Sequence, residues 1–533
     1  LITRPNNYKR FTIMLDSIRL SKDKLFFFTA AHKNEFVLFI FWGVYLISWT
    51  LLAAFLPLST ELDSVEQVAW SQSWQWGYYK HPPLPSALLH VLNALFGGPS
   101  MGLTAFAAQS CNLIALVYVW LLAKQMLPRK LAITAVLVTS LIAYHNFRAL
   151  AFNHNTVSLP FTAAALYYFY CALRYPSRTS TWLWLGLVCG LAMLTKYSAA
   201  LILAGFFVYI TWQRLWTDTR VILGLLVSSV VFMLVISPHV VWLAENNWLP
   251  FTYIHNKLAI SGSRLNIYLV FFVNQMIRFS FMLPLLLGIW YLRRKGAIGV
   301  STLPASESPG DNRDLRFLLT VLLTPLLLAL MTPLLTGSPL NSNWVSAFFL
   351  PVGILITKCF YDRLDETQLL KSASWLAWTT HAGILIVFFV GSVIYPNAVG
   401  RAARSNFPSK ELAGKVAEIW REQQKEPLAI VISDAWTGGN VLLHARPEPA
   451  LFIDNKVEEA PWVTAHDVDA CGAFILTAKS ETDPNPYALL FSQASVKGEF
   501  SLTWGRGARG KEVHYLWAIK PRIPGEASCK FTL

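Results

Sequence analysis

Charge-free apolar runs alternate with short polar stretches along the first four hundred positions, and the run from Phe36 to Pro57 sets the pattern. It has the ~20 consecutive apolar residues that a helix needs to cross a bilayer. Further runs fall at roughly 102–124, 131–147, 154–173, 181–195, 197–213, 221–243, 267–292, 316–335, 344–360 and 373–396, which predicts about eleven transmembrane helices and a membrane all-α domain over residues 36–396. From Asn397 the composition becomes that of a soluble domain. Ser409–Gln424 reads as an amphipathic helix with a Ser cap, and Leu428–Ser433, Gly472–Thr477 and His514–Ile519 read as strands. Their alternation predicts a C-terminal soluble α/β domain over 397–533. Residues 1–35 are basic with interspersed apolar positions, the pattern of a cytoplasmic interfacial segment. No cleavable leader is predicted, because a long basic segment precedes the first apolar run and no small-residue cleavage site follows it.

Composition alone leaves two classes open: 533 residues with 54% apolar side chains suit a large soluble enzyme or a polytopic membrane protein. Run length decides for the membrane. The net charge of +14 forms no stripe of the kind that marks a nucleic-acid interface. It sits instead in the N-terminal segment and in alternate short loops, whereas the opposite loops hold only Lys80, Arg148, Lys196, Lys257 and Arg264. By the positive-inside rule the N-terminus is cytoplasmic. An odd number of crossings then places the first loop, 58–101, and the C-terminal domain outside a bacterial cytoplasmic (inner) membrane. Cys111, Cys171, Cys189 and Cys359 fall in apolar runs, where thiols act as small core residues. Cys471 and Cys529 lie in the outer domain, where an oxidising compartment would allow them to pair.

The stretch Ser59–Leu84 carries the candidate chemistry. Glu61, Asp63 and Glu66 stand beside Trp70, Trp74, Trp76, Tyr78 and Tyr79, followed by Lys80-His81 and Pro82-Pro83. Rings pack on the apolar faces of sugars and carboxylates bond their hydroxyls, so the set suits sugar binding and removal of a hydroxyl proton. A solvated loop with an aromatic belt at the lipid interface is the competing reading. Asp63 followed, after twelve residues, by Trp76-Gly-Tyr-Tyr-Lys-His-Pro-Pro-Leu84 resembles the first extracytoplasmic loop of the GT-C membrane glycosyltransferases. The branch it resembles is protein-mannosyltransferase-like and includes the lipid A aminoarabinose transferase and the rhizobial galacturonic acid transferases. The resemblance implies that Asp63 is catalytic and that the donor is a sugar on a polyprenyl phosphate. The family's acidic pair is altered here: Ser64 follows Asp63, and Glu66 is the next acid.

Other positions join this picture with alternatives open. In Arg148–Asn155, an Asn-His-Asn cluster either caps a helix or lends hydrogen bonds to the site. The family's second Asp is matched by Asn153 or Asn155, and an amide cannot act as a base. Gly186–Ser198, ending in Thr-Lys-Tyr, resembles a second family signature, which implies that Lys196, next to Tyr197, meets the lipid phosphate; snorkelling to the interface is the alternative. Lys80, His81, His255 and Arg264 are further donor contacts under the same resemblance, Arg264 because its planar fork matches phosphate oxygens. Trp76, Tyr78 and Tyr79 line the expected substrate cavity, with Asn341–Trp344 at its mouth. Thr437-Gly-Gly-Asn440 matches neither the dinucleotide nor the nucleoside-triphosphate pattern and reads as a turn. No cofactor is required. A divalent metal finds no supporting motif, since Lys80 occupies a position at which some relatives carry an acidic ligand.

The expected activity is therefore an inverting transfer of a sugar from a polyprenyl-phosphate donor to a lipid A, glycan, lipid or protein acceptor, with no nucleic-acid partner. The rival class is a polytopic transporter or flippase with an accessory outer domain. Its paired repeats and polar midplane path are absent from the sequence.

Overall fold

A computed structural model describes residues 33–257, 263–300, 310–337, 339–361, 363–480, 484–505, 510–523 and 528–531. The predicted N-terminal interfacial segment lies outside them, apart from the start of helix Lys33–Phe55. The chain separates into two compact units, residues 1–48 and 49–533. In the first, the helix from Lys33 continues the apolar run of the sequence. The remainder of the description concerns the second unit.

Every apolar run of the sequence is a helix or a bent pair of helices. Among the described residues six helices are long and apolar enough to cross a membrane. Three more runs are broken: Arg129–Ser140 turns by 95° into Ala143–Leu150, Arg264–Ser280 by 55° into Leu283–Arg294, and Ser342–Phe349 by 51° into Val352–Phe360. Thr179–Thr195 and Ala199–Trp212 are apolar but short, so the expected eleven uniform spans become straight, bent and short elements. The breaks have local causes. Asn146 donates from Nδ2 to the carbonyls of Ser140 and Ile142, groups that the end of a helix leaves without partners. Pro284 and Pro351 stand at the start of the second member of the other two pairs, where a missing N–H costs nothing.

Small residues set the closest helix contacts, since a membrane offers no hydrophobic drive for helix pairing and close backbone approach replaces it. A Cβ on Gly186 would lie 2.4 Å from the Ser228 carbonyl oxygen, and one on Gly224 would lie 2.1 Å from the Trp182 ring. Helices Thr179–Thr195 and Thr219–Glu245 therefore interlock through Gly186, Gly190 and Gly224.

Beyond the first span lie a short helix, Leu62–Trp70, and a second, Leu84–Phe96, which ends at Gly97 in the left-handed conformation (φ 79°) that glycine adopts without strain. The C-terminal domain has a five-stranded sheet in the order β2-β1-β3-β5-β4, with β1 Ile430–Ser433, β2 Ala450–Ile453, β3 Ala473–Ala478, β4 Val496–Trp504 and β5 Lys511–Lys520. β1 runs parallel to β2 and β3, while β5 is antiparallel to both β3 and β4. Cys471 and Cys529 form a disulfide.

Two local expectations change. Helix Ser409–Gln423 has Pro408 at its cap position, because the Ser409 hydroxyl donates instead to the Leu58 carbonyl at 2.5 Å. Thr437-Gly-Gly-Asn440 is not a turn: it lies inside helix Ala435–His444, which Asp434 caps through the backbone N–H groups of Trp436 and Thr437.

Candidate active site

Asp63 occupies the first turn of helix Leu62–Trp70, immediately after the first span, and faces a cavity of about 410 Å³. The cavity is walled by Ser59, Thr60, Glu61, Tyr144, Arg148, Asn153, Asn155, Asn341, Asn343, Arg404 and Ser405, with apolar Ala53, Met101, Leu159 and Phe388 toward the helices.

Asn153 links two parts of this wall. Its Oδ1 accepts from the backbone N–H groups of Asn155 and Thr156, the usual service of an Asn cap. That fixes the amide the other way round, and Nδ2 donates to Asp63 Oδ2 at 3.2 Å. Asn155 Oδ1 accepts a 2.5 Å bond from the buried Lys196, so the lysine reaches the cavity wall through an amide. Burial raises the Asp63 pKa above its ordinary value, and Glu61 adds to the rise, against opposing pulls from Arg404, Lys196 and Lys80. Arg404 is held 3.3 Å from Glu61. The arrangement is a proton-hungry carboxylate beside polar walls that carry two arginines.

Glu66, Tyr78, Tyr79, Lys80 and His81 form a second cluster, off the cavity wall. Lys80 Nζ is 2.5 Å from Glu66 Oε1 and lies over the rings of Tyr79 and Tyr253. Burial raises the Glu66 pKa, with Lys80 opposing; burial would lower that of Lys80, but Glu66 outweighs it and the net shift is upward. Glu66 is thus committed to an ion pair and, like Lys80, does not line the cavity. The turn Tyr78–His81 is closed by two reciprocal backbone bonds, with Tyr78 stacked on Trp70. The His81 ring lies 3.8 Å from that of His154, tilted by 34°, and burial, helped by Lys196 and Lys80, pushes its pKa down to about 3. It is therefore neutral near pH 7, and it does not line the cavity. Tyr197 meets His239, whose other ring nitrogen bonds the Trp76 carbonyl, so this group anchors the aromatic loop to helix Thr219–Glu245. Trp76 itself is half-exposed. Arg264 begins its helix exposed and away from the cavity wall, and the His255 side chain lies outside the described residues. Among the described residues no three His, Cys, Asp or Glu side chains are grouped to hold a metal ion.

The structure adds wall residues to which the sequence assigned no role. Arg148 was visible only as an isolated charge in a short loop. Arg404 lies in the linker ahead of the soluble domain, 341 positions from Asp63, and no motif marks it. Tyr144, whose hydroxyl bonds the Ser342 carbonyl, ties the bent helix Ser342–Phe349 to the wall.

Comparison with known proteins bears on this geometry. A family model described as dolichyl-phosphate-mannose-protein mannosyltransferase matches residues 80–242, which hold Asn153, Asn155 and Lys196 but not Asp63. The lipopolysaccharide core galacturonosyltransferase RgtA of Rhizobium johnstonii is 25% identical over 508 residues, 90% of this chain and 96% of that protein. The crystal structure of ArnT from Cupriavidus metallidurans bound to undecaprenyl phosphate aligns over 90% of this chain and 97% of its own, with 14% identity and a TM-score of 0.58. Its apo form aligns over 91% and 98%, with 16% identity and a TM-score of 0.52. The last two are likenesses of fold. Family match, curated relative and fold together make the chain similar to the GT-C membrane glycosyltransferases of the protein-mannosyltransferase-like branch.

Proposed function

We propose that this protein transfers a sugar from a polyprenyl-phosphate donor to a hydroxyl of an envelope glycan or lipid, with inversion, on the extracytoplasmic face of the cytoplasmic membrane. The observation that carries the reading is Asp63: a carboxylate with a raised pKa, fixed by a capping asparagine, in a polar cavity next to membrane-length helices. A general base is most useful when its pKa approaches the working pH, and such help is worth about 10²–10⁴-fold.

In the proposed step Asp63 accepts the proton of the acceptor hydroxyl as that oxygen bonds to the anomeric carbon. The bond from that carbon to the phosphate oxygen breaks, and its electron pair leaves with the lipid phosphate. Arg148 and Arg404 supply fixed positive charge where the leaving oxygen becomes more negative. The step as proposed calls for no nucleotide. Undecaprenyl phosphate, which the ArnT structure contains, and a galacturonosyl group, named for RgtA, are the first donor lipid and sugar to try. The bias of basic residues toward the N-terminal segment and alternate loops supports the outer placement.

The test is mass spectrometry of envelope glycolipids and glycoproteins with and without this protein. A species lighter by one sugar in its absence is expected. Identical profiles would remove the transferase reading in that cell.

A further inference from the structure

The Gly-Gly pair at 438–439 is absorbed by no nucleotide or phosphate site, yet it lies where the soluble domain meets the helix of Asp63. The two glycines, about 100° apart around their helix, meet different neighbours. A Cβ on Gly438 would lie 2.2 Å from Leu451 of the domain's own β2, and one on Gly439 would lie 2.3 Å from Val65 Cγ1 on helix Leu62–Trp70. A side chain at 439 would force the two helices apart. The contact is reinforced at both ends of the site helix. Before it, the Leu58 N–H donates to the Ser405 carbonyl at 2.6 Å, and Ser59 Oγ donates to Asn440 Oδ1 at 2.5 Å. Asn440 is itself oriented by a bond from its Nδ2 to the Trp436 carbonyl. After the helix, Gln72 gives Nε2 to the Pro449 carbonyl and takes the Leu451 N–H on Oε1.

We propose that the soluble domain is a positioning clamp for the catalytic helix, with Gly439 and Asn440 as positioning residues that set the distance of Asp63 from Asn153. Residues two apart on a helix point about 200° apart, so Val65 takes the push on the back of the helix while Asp63 faces the cavity. Displacing Val65 moves the Asp63 carboxylate against an amide already 3.2 Å away. The inference rests on the reaction proposed above for its kinetic readout.

The experiment uses the full chain in proteoliposomes with labelled galacturonosyl undecaprenyl phosphate, alongside hydrogen exchange over residues 58–72. Gly439→Ala is expected to lower kcat by about 10²-fold, the order that a misplacement of about 1 Å costs, with KM for the donor within about threefold of wild type. It should also speed exchange across the segment. Adding Val65→Ala removes the clashing methyl and should restore both. Asn440→Ala, which adds no bulk, should lower kcat more mildly, and Gly414→Ala, at a position with nothing within 4 Å, should change neither readout. Unaltered kcat and exchange in a folded Gly439→Ala protein, a loss confined to KM, or a loss that Val65→Ala fails to rescue would overturn the clamp. If the wild-type protein transfers nothing, galacturonosyl undecaprenyl phosphate is not its donor, and exchange in Gly439→Ala against wild type still decides the clamp.

Discussion

The carboxyl of Asp63 is set by its neighbours. Burial raises its pKa, Glu61 raises it further, and Arg404 pulls it down. A base acts in its ionised form, so the acid limb of kcat/KM should lie above the ordinary aspartate range. Glu61→Gln removes a raising charge and should move that limb to lower pH, whereas Arg404→Gln should move it higher. A limb that stays in place in both variants would detach it from Asp63. The same shift bears on stability. With the folded pKa above the unfolded one, the folded state binds more protons between the two values. Stability is therefore lost as pH rises through that window, and the ionised carboxylate is a cost at neutral pH. Asp63→Asn still offers an acceptor to Asn153 Nδ2, so its Tm at neutral pH should equal or exceed that of wild type, and a marked drop would contradict this assignment.

Elements show which features were legible beforehand and which were not. The apolar runs gave the helices because about twenty uncharged residues have few alternatives in water or lipid. Their bends were hidden, since Asn146 and Pro351 act through geometry that periodicity does not carry. The Asn153 cap was readable from residue type. Thr437–Asn440 misled because adjacent glycines signal a turn locally, while here Leu451 and Val65 demand glycine inside a helix. Strands β2 and β4 escaped notice: β2 has only four residues, and β4 alternates at an exposed edge. The disulfide tests the soluble fold as an element. It links residues 58 apart, a loop whose closure should stabilise the domain by about 4 kcal/mol. Replacing Cys471 and Cys529 together by Ser should lower the domain's denaturant midpoint, and an unchanged midpoint would mean that the bridge adds nothing.

For the molecule as a whole, topology and reaction are the two claims to test. Cysteines introduced at the exposed Ala94 and Glu426 should react with a membrane-impermeant reagent in intact spheroplasts, and one at Ser177 should not. Labelling at Ser177 alone would invert the orientation. The fold class and the candidacy of Asp63 could be argued from the first loop, and Asn153, Asn155 and the segment from Asn341 were legible as possible neighbours, but Tyr144, Arg148 and Arg404 were not. Arg404 and Asn153 come from distant parts of the chain, and only tertiary folding brings them to the same carboxylate. The most direct test is transfer of a labelled sugar from undecaprenyl phosphate in proteoliposomes, comparing wild type with Asp63→Asn and Glu66→Gln. The account predicts a loss of about 10²-fold or more in folded Asp63→Asn and a milder effect in Glu66→Gln, whose carboxylate is paired with Lys80. Near-normal transfer by folded Asp63→Asn would contradict it.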